Sequence, residues 1–241
     1  MYKAYLEEKE HKKIQEGINA MLRYYHYRNL APRSQEAYKK LAAAVKNWQS
    51  SVDIDNIINF QDVIEAVKND NPHFFYVDWY TIYYNISFSG HRVTVHLKYH
   101  MNRSSALSIY NRIKLMAYPL RGRDVCQTIK NAHDFLAKTV RYDTPVYEVG
   151  GFRLYDHNLI GPLTEGLGVC EGIARAMQFL LRELRVDCTY VTGVITEGGK
   201  REYHAWNLVE LNGKKLKIDV TWDLADCCGG RVSYDYYCIP A

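Results

Sequence analysis

In the run "EGLGVCEGIARAMQFLL", residues 165–181, Cys170 stands where glycines give way to an apolar helical pattern. The first turn of a helix leaves N–H groups unpaired and carries roughly half a positive charge. A thiolate placed there is stabilised, its pKa falls, and it becomes a nucleophile near neutral pH. The same N–H groups can receive the oxyanion of a tetrahedral intermediate. Gly168 and Gly172 leave room for another backbone or a substrate to come close. The plainer alternative is a small buried residue capping an apolar helix.

A nucleophilic cysteine needs a histidine, and the histidine an orienting carboxylate. The chain has 9 histidines, so their presence decides nothing; strand register does. Asn212-Gly213 reads as a two-residue hairpin turn, pairing Leu211 with Lys214, Glu210 with Lys215 and Val209 with Leu216. Continued outward, Trp206 faces Asp219 and His204 faces Thr221. His204 and Asp219 then share one sheet face as diagonal neighbours, about 7–8 Å apart at Cα. Ala205, Val209, Leu211, Leu216, Ile218 and Val220 form an apolar opposite face. Alone, His204 would pass for an ordinary half-buried histidine. An aspartate inside "LKIDVTW" is harder to explain, because strands disfavour it.

These residues need elements to carry them. Ile173, Met177, Leu180, Leu181 and Leu184 form a helical stripe behind Cys170. Three strands follow, "CTYVTGVIT", "EYHAWNLVEL" and "KKLKIDVTW", the first two joined at Gly198-Gly199. Upstream, Tyr5, Ile14, Ile18, Met21, Leu22 and Tyr25 lie on one helical face. A helix restarts after Pro32 with Ser34 as its expected N-cap, and "SVDIDNIINFQDVIEAVKNDNP" reads as another, stopped at Pro72. The strand-like runs around Ser89-Gly90 read as a hairpin, and "SSALSIYNRIKLMAYPL" and "DVCQTIKNAHDFLAKTV" as helices. Glycine and proline thicken from Tyr142 to Pro162, which reads as a long loop of the kind that borders binding sites.

Composition narrows the class. Of 241 residues, 47% are hydrophobic and 24% charged, the balance of a globular protein able to build a core without disulfide staples. A net charge of +4 without dense Lys/Arg blocks gives no nucleic-acid footprint. The 6 cysteines show no C-x-x-C spacing, which argues against a zinc ribbon or dithiol site and favours a reducing compartment. His91, His96 and His100 do not share one strand face, so no metal is expected. No signal-like leader and no membrane-length apolar run appear, so a cytoplasmic location is expected.

"GVCEGIARA", "YHAWN" and "IDVTWD", in that order, resemble the nucleophile, histidine and aspartate motifs of the transglutaminase-like superfamily of papain-fold cysteine enzymes, in a bacterial-type form. The resemblance covers about residues 120–241. It implies an α+β chain: a helical N-terminal region with a β-hairpin over 1–119, and a papain-like core of a central helix packed on an antiparallel sheet over 120–241. It also implies that Cys170 attacks an amide or ester carbonyl, His204 moves the proton, and Asp219 holds the imidazole. The Cys170 N–H becomes an oxyanion donor. Tyr155, His157 and Asn158 in the preceding loop, together with Trp206, are candidates for a further donor or substrate contact; Trp206 and Trp222 flank the His–Asp pair and are candidates for shielding it, with core packing as the alternative for at least one. The calcium-site, R-G-G-x-C and paired-cysteine marks of other subfamilies are missing, so no cofactor is expected. The expected partner is a peptide or protein substrate, cell-wall peptides among the candidates. Hydrolysis is preferred; a cross-linking transglutaminase and a catalytically silent binding module stay open.

Overall fold

The computed structural model describes residues 23–55, 59–144, 152–197 and 200–241. The stripe from Tyr5 to Leu22 and the Gly198-Gly199 link lie outside the described residues. After a short turn of helix, α1 (Tyr25–Arg28), α2 (Pro32–Lys46) begins with Pro32 in its first turn. Proline suits that position because its missing N–H would have no partner there. Ala31, not Ser34, is the N-cap; Ser34 is buried inside the helix.

The stretch expected as one helix from Ser51 to Asn71 is two elements. Ser51–Asp55 is a strand, β1, and α3 (Phe60–Asp70) starts only after Asn59, which is left-handed at φ 59°. Val52 and Ile54 alternate with polar residues at period two, so one face of β1 can bury Ile54. Its partner is β3 (Arg92–His96), with Ile54 opposite Val93. On the polar face, Asp53 accepts from the Thr94 hydroxyl at 2.7 Å. The expected hairpin is present: β2 (Tyr83–Ile86) pairs with β3 from Tyr83↔His96 to Ile86↔Val93. The sheet is therefore three-stranded, β1-β3-β2. It packs with α2 and α3 around Leu41, Val45, Val63, Val67 and Val95.

A second hydrophobic cluster joins α4 (Arg103–Ala117) and α5 (Val125–Thr139) to α6 (Cys170–Glu183). Asn102 and Asp124 cap α4 and α5 by accepting from Ser105 N and Gln127 N. Ile173, Met177, Leu180, Leu181 and Leu184 are all buried, as the stripe predicts. The cluster crosses residue 119, since Ala106, Ile113 and Ala117 pack into it with α6.

Behind α6 lies an antiparallel sheet in the order β6 (Cys188–Glu197), β7 (Lys200–Leu211), β8 (Lys214–Ile218) and β9 (Ile239–Pro240). Short strands Arg141–Tyr142 (β4) and Leu167–Gly168 (β5) pair in parallel just before α6. The β7–β8 register is the predicted one, Leu211↔Lys214 through Val209↔Leu216, around Asn212 and Gly213 at φ 52° and 73°. Positive φ at both central residues is what the tight hairpin turn requires. The ladder ends at Asn207↔Ile218, earlier than the strand expected through Trp222. From there the chain turns away, and Asp219 N donates to Tyr236 O at 3.0 Å instead of to β7. Ala205, Val209, Ile218 and Val220 are buried on the apolar face, while Leu211 and Leu216 are half-buried at its end. The architecture is α+β, a central helix packed on an antiparallel sheet, preceded by a helical region that carries the hairpin.

Among the described residues no helix is long and apolar enough to cross a membrane, and no group of three or more His, Cys, Asp or Glu is placed to hold a metal. All six cysteines are free.

Candidate active site

Cys170 is the first residue of α6. Val169 precedes it as N-cap with extended backbone, and no side chain caps the helix. The first intrahelical bond is Ile173 N to Val169 O at 3.0 Å, so the N–H groups before residue 173 point out of the helix mouth. The two glycines admit the chain's own backbone. A Cβ at Gly172 would meet the carbonyl oxygens of Asp156 and Asn158, and one at Gly168 would meet the Pro162 ring. The loop over 152–160 is thereby pressed against the mouth of α6, and Val169 N donates to Asp156 O at 3.1 Å.

His204 lies on β7 opposite Gly193, 6% exposed. Its Nε2 stands 2.8 Å from Asp219 Oδ2, and the carboxylate is buried. This engages Nε2 with the carboxylate. The Cys170 thiol is within hydrogen-bonding reach of the ring. Burial opposes a charge on His204, but the Asp219 hydrogen bond and the Cys170 sulfur outweigh it and push the imidazole pKa up to about 9. Cys170 packs against Ala174, Tyr190 and Ala205, which holds the thiol between α6 and the sheet. The structure thus brings Cys170, His204 and Asp219 together.

The two tryptophans flank this group. Trp222 stacks on His204 at 4.7 Å and 13°, and Trp206 lies at 6.1 Å and 26°. Gly193 makes room for Trp206, whose indole would stand 2.5 Å from any Cβ there. Lys217, which the sequence reading overlooked, reaches the same Asp219 oxygen at 3.4 Å. Its ammonium lies over Trp206, Trp222 and Tyr236 at 4.5, 5.0 and 5.8 Å. The register held the signal, because Lys217 shares the polar face of residues 204, 206 and 219.

Glu171 is the second residue that the sequence reading overlooked. Its carboxylate accepts from Tyr80 OH at 2.5 Å, meets His157 Nδ1 at 3.2 Å, and pairs with Lys68 and Arg175 at 3.0 Å each. Burial alone would raise its pKa; Arg175, His157, Lys68 and Tyr80 together hold it well below the usual carboxylate range. The Arg175 guanidinium also covers the Tyr190 ring at 4.3 Å.

The three loop candidates part company. His157 belongs to the Glu171 group and stacks on Phe152 at 4.9 Å. Asn158 is buried and structural: its amide nitrogen donates to Phe75 O at 2.6 Å and its oxygen accepts from Ile160 N at 3.2 Å. Tyr155 is half-exposed, its ring beside His100 at 5.8 Å, and its carbonyl accepts from Gly161 N at 3.0 Å. Asn207, at the end of "YHAWN", sits on the apolar sheet face and donates to Ala174 O at 2.9 Å, fixing α6 to β7. A second His–carboxylate pair, His133 Nε2 to Asp223 Oδ2 at 3.1 Å, is fully buried between α5 and the chain that follows Asp219.

A helix mouth that presents a thiol to a His–Asp pair on an adjacent antiparallel sheet is the layout of papain-like cysteine enzymes. Residues 119–222 match the family model of the transglutaminase-like superfamily. All three grouped residues fall inside the match. Among solved structures, similarity is found to one described as a TGase, at 13% identity and TM-score 0.43, covering 58% of this chain and 43% of that one. Similarity is also found to one from Cytophaga hutchinsonii described as a "putative cysteine protease", at 16% identity and TM-score 0.39, covering 63% of this chain and 64% of that one. The chain spans less than two thirds of either. No curated protein matches it.

Proposed function

We propose that the chain is a metal-independent cysteine acyl-transfer enzyme that hydrolyses peptide or protein amides. The observation that carries this reading is the His204–Asp219 bond at 2.8 Å with the Cys170 thiol in reach of the same ring. His204 takes the thiol proton at Nδ1 while Nε2 stays on Asp219. The sulfur attacks the amide carbonyl carbon, and the oxyanion is received at the mouth of α6 by the Cys170 N–H. The imidazolium then protonates the leaving amine as the C–N bond breaks, leaving a thioester on Cys170. Water, deprotonated by His204, attacks the thioester, releases the acid and restores the thiol. Trp222 and Trp206 cover the His–Asp pair and keep water from competing for its hydrogen bond.

The test is a peptide-library screen that reads both ammonia or peptide release and incorporation of a primary amine, with Cys170→Ala as control. Release that depends on Cys170 supports hydrolysis. Predominant amine incorporation would assign cross-linking instead. Absence of either, with iodoacetamide labelling Cys170 no faster than the other cysteines, would assign a binding module.

A further inference from the structure

Tyr80, Phe152 and His157 bring three rings together beside the mouth of α6. Tyr80 and Phe152 meet edge to face at 4.8 Å, Phe152 stacks on His157 at 4.9 Å, and Tyr80 lies 5.8 Å from His157. The cluster comes from two distant segments and is tied to the residue after the nucleophile, because both Tyr80 OH and His157 Nδ1 are held by Glu171. It is also linked toward the thiol: Arg175 binds Glu171 and covers Tyr190, a member of the small cluster with Ala174 and Ala205 that Cys170 packs against.

The rings remain open to solvent. Tyr80 is 43% exposed and Phe152 54%. Clustered exposed aromatics on a monomeric surface mark contact sites far more often than scattered ones do. The polar atoms that point inward are already used, the Tyr80 hydroxyl and His157 Nδ1 by Glu171, while the Lys68 ammonium stands over the Tyr80 ring at 4.8 Å. What the cluster offers outward is chiefly ring face and edge. Such a surface gains from covering hydrocarbon, and the Lys68 ammonium already over the Tyr80 ring opposes a second cation there.

We propose that Tyr80, Phe152 and His157 form a specificity wall that receives an aromatic or branched apolar side chain flanking the reacting amide. This rests on Cys170 being the nucleophile of an acyl-transfer enzyme. The wall makes the region before residue 119 part of substrate selection, because Tyr80 comes from it. Glu171 then has a positioning role: it holds the wall at a fixed distance from the thiol.

The test uses the full chain and peptidyl chloromethyl ketones of one length, with Gly, Leu, Phe or Lys at each of the two positions before the electrophilic carbon. Alkylation of Cys170 is read by peptide mass, and each rate is divided by the iodoacetamide rate of the same variant. At one of the two positions, Phe and Leu probes are expected to label at least about 10-fold faster than Gly or Lys probes. Tyr80→Ala and Phe152→Ser should each reduce that ratio several-fold, and Tyr80→Phe, which keeps the ring, should retain it. Equal normalised rates for all four probes, or a preference that survives the double variant Tyr80→Ala/Phe152→Ser, would overturn the wall while leaving Cys170 chemistry intact. Iodoacetamide labelling of Cys170 no faster than of the other cysteines would overturn both.

Discussion

Lys217 places its ammonium 3.4 Å from the Asp219 oxygen that His204 holds at 2.8 Å. One carboxylate oxygen thus serves two cationic partners. The lysine reduces the negative charge the imidazole feels, so it works against the imidazolium that Asp219 and Cys170 favour. Lys217→Met keeps the stem packed over the indoles and removes the charge. The alkaline limb of the Cys170-dependent rate is expected to move upward from about 9 by less than about one pH unit. A kcat/KM profile between pH 5 and 11 measures it; a downward move would contradict this account.

Asp219→Asn removes the charge that raises His204. The imidazole should return from about 9 toward its ordinary value near 6.5, and the alkaline limb should fall with it. Turnover is expected to drop about 10²–10⁴-fold with KM little changed, because the orienting partner acts on chemistry more than on binding.

The same pair links folding to protons. A histidine whose folded pKa lies above its unfolded one adds stability that is fully present below about 6.5 and is lost as pH rises through about 9. Thermal melts of wild type and Asp219→Asn should therefore differ most near pH 6 and converge above pH 9. A gap that widens with pH would refute the linkage.

Glu171→Gln leaves Lys68 and Arg175, at 12% and 8% side-chain exposure, without their shared carboxylate. Breaking a buried ion pair from one side costs about 3–5 kcal/mol. Urea unfolding should show a loss of that order, and the additional replacement Lys68→Met should recover part of it by removing the stranded charge.

Gly172→Ala tests the packing of the loop on the helix mouth. Inside a helix this change ordinarily stabilises by about 1 kcal/mol. Here the methyl would meet the Asp156 and Asn158 carbonyl oxygens, both backbone atoms that cannot swing aside. Net destabilisation of about 1–3 kcal/mol is expected, measurable by denaturant titration.

Much of this site was legible in the chain because its signals are local. The Asn212-Gly213 turn set the β7–β8 register, and glycines before an apolar stripe located Cys170 at a helix start. The features that escaped depend on distant partners. β1 is five residues long and abuts a true helix, and its pairing strand lies about forty positions downstream. The early end of β8 comes from a backbone bond between Asp219 and Tyr236, which β-propensity cannot foresee. Ser34 has the residue type of a cap, yet Pro32 sets the helix start with Ala31 as its N-cap, three residues earlier. Glu171 reads as an ordinary acidic first-turn residue until Lys68 and Tyr80, about a hundred positions away, are folded onto it.

That arrangement bears on how portable the recognisable segment is. Residues 119–222 contain the sulfur, the imidazole and the carboxylate, but not Lys68 or Tyr80. An excised piece cut at those limits would expose Arg175 and Glu171 to water on the side those two residues occupy and would strip α4 from its flank. Grafting the motif-bearing stretch onto another scaffold would carry over the reacting atoms without the brace that steadies the helix mouth, so a working transplant would have to begin no later than α3.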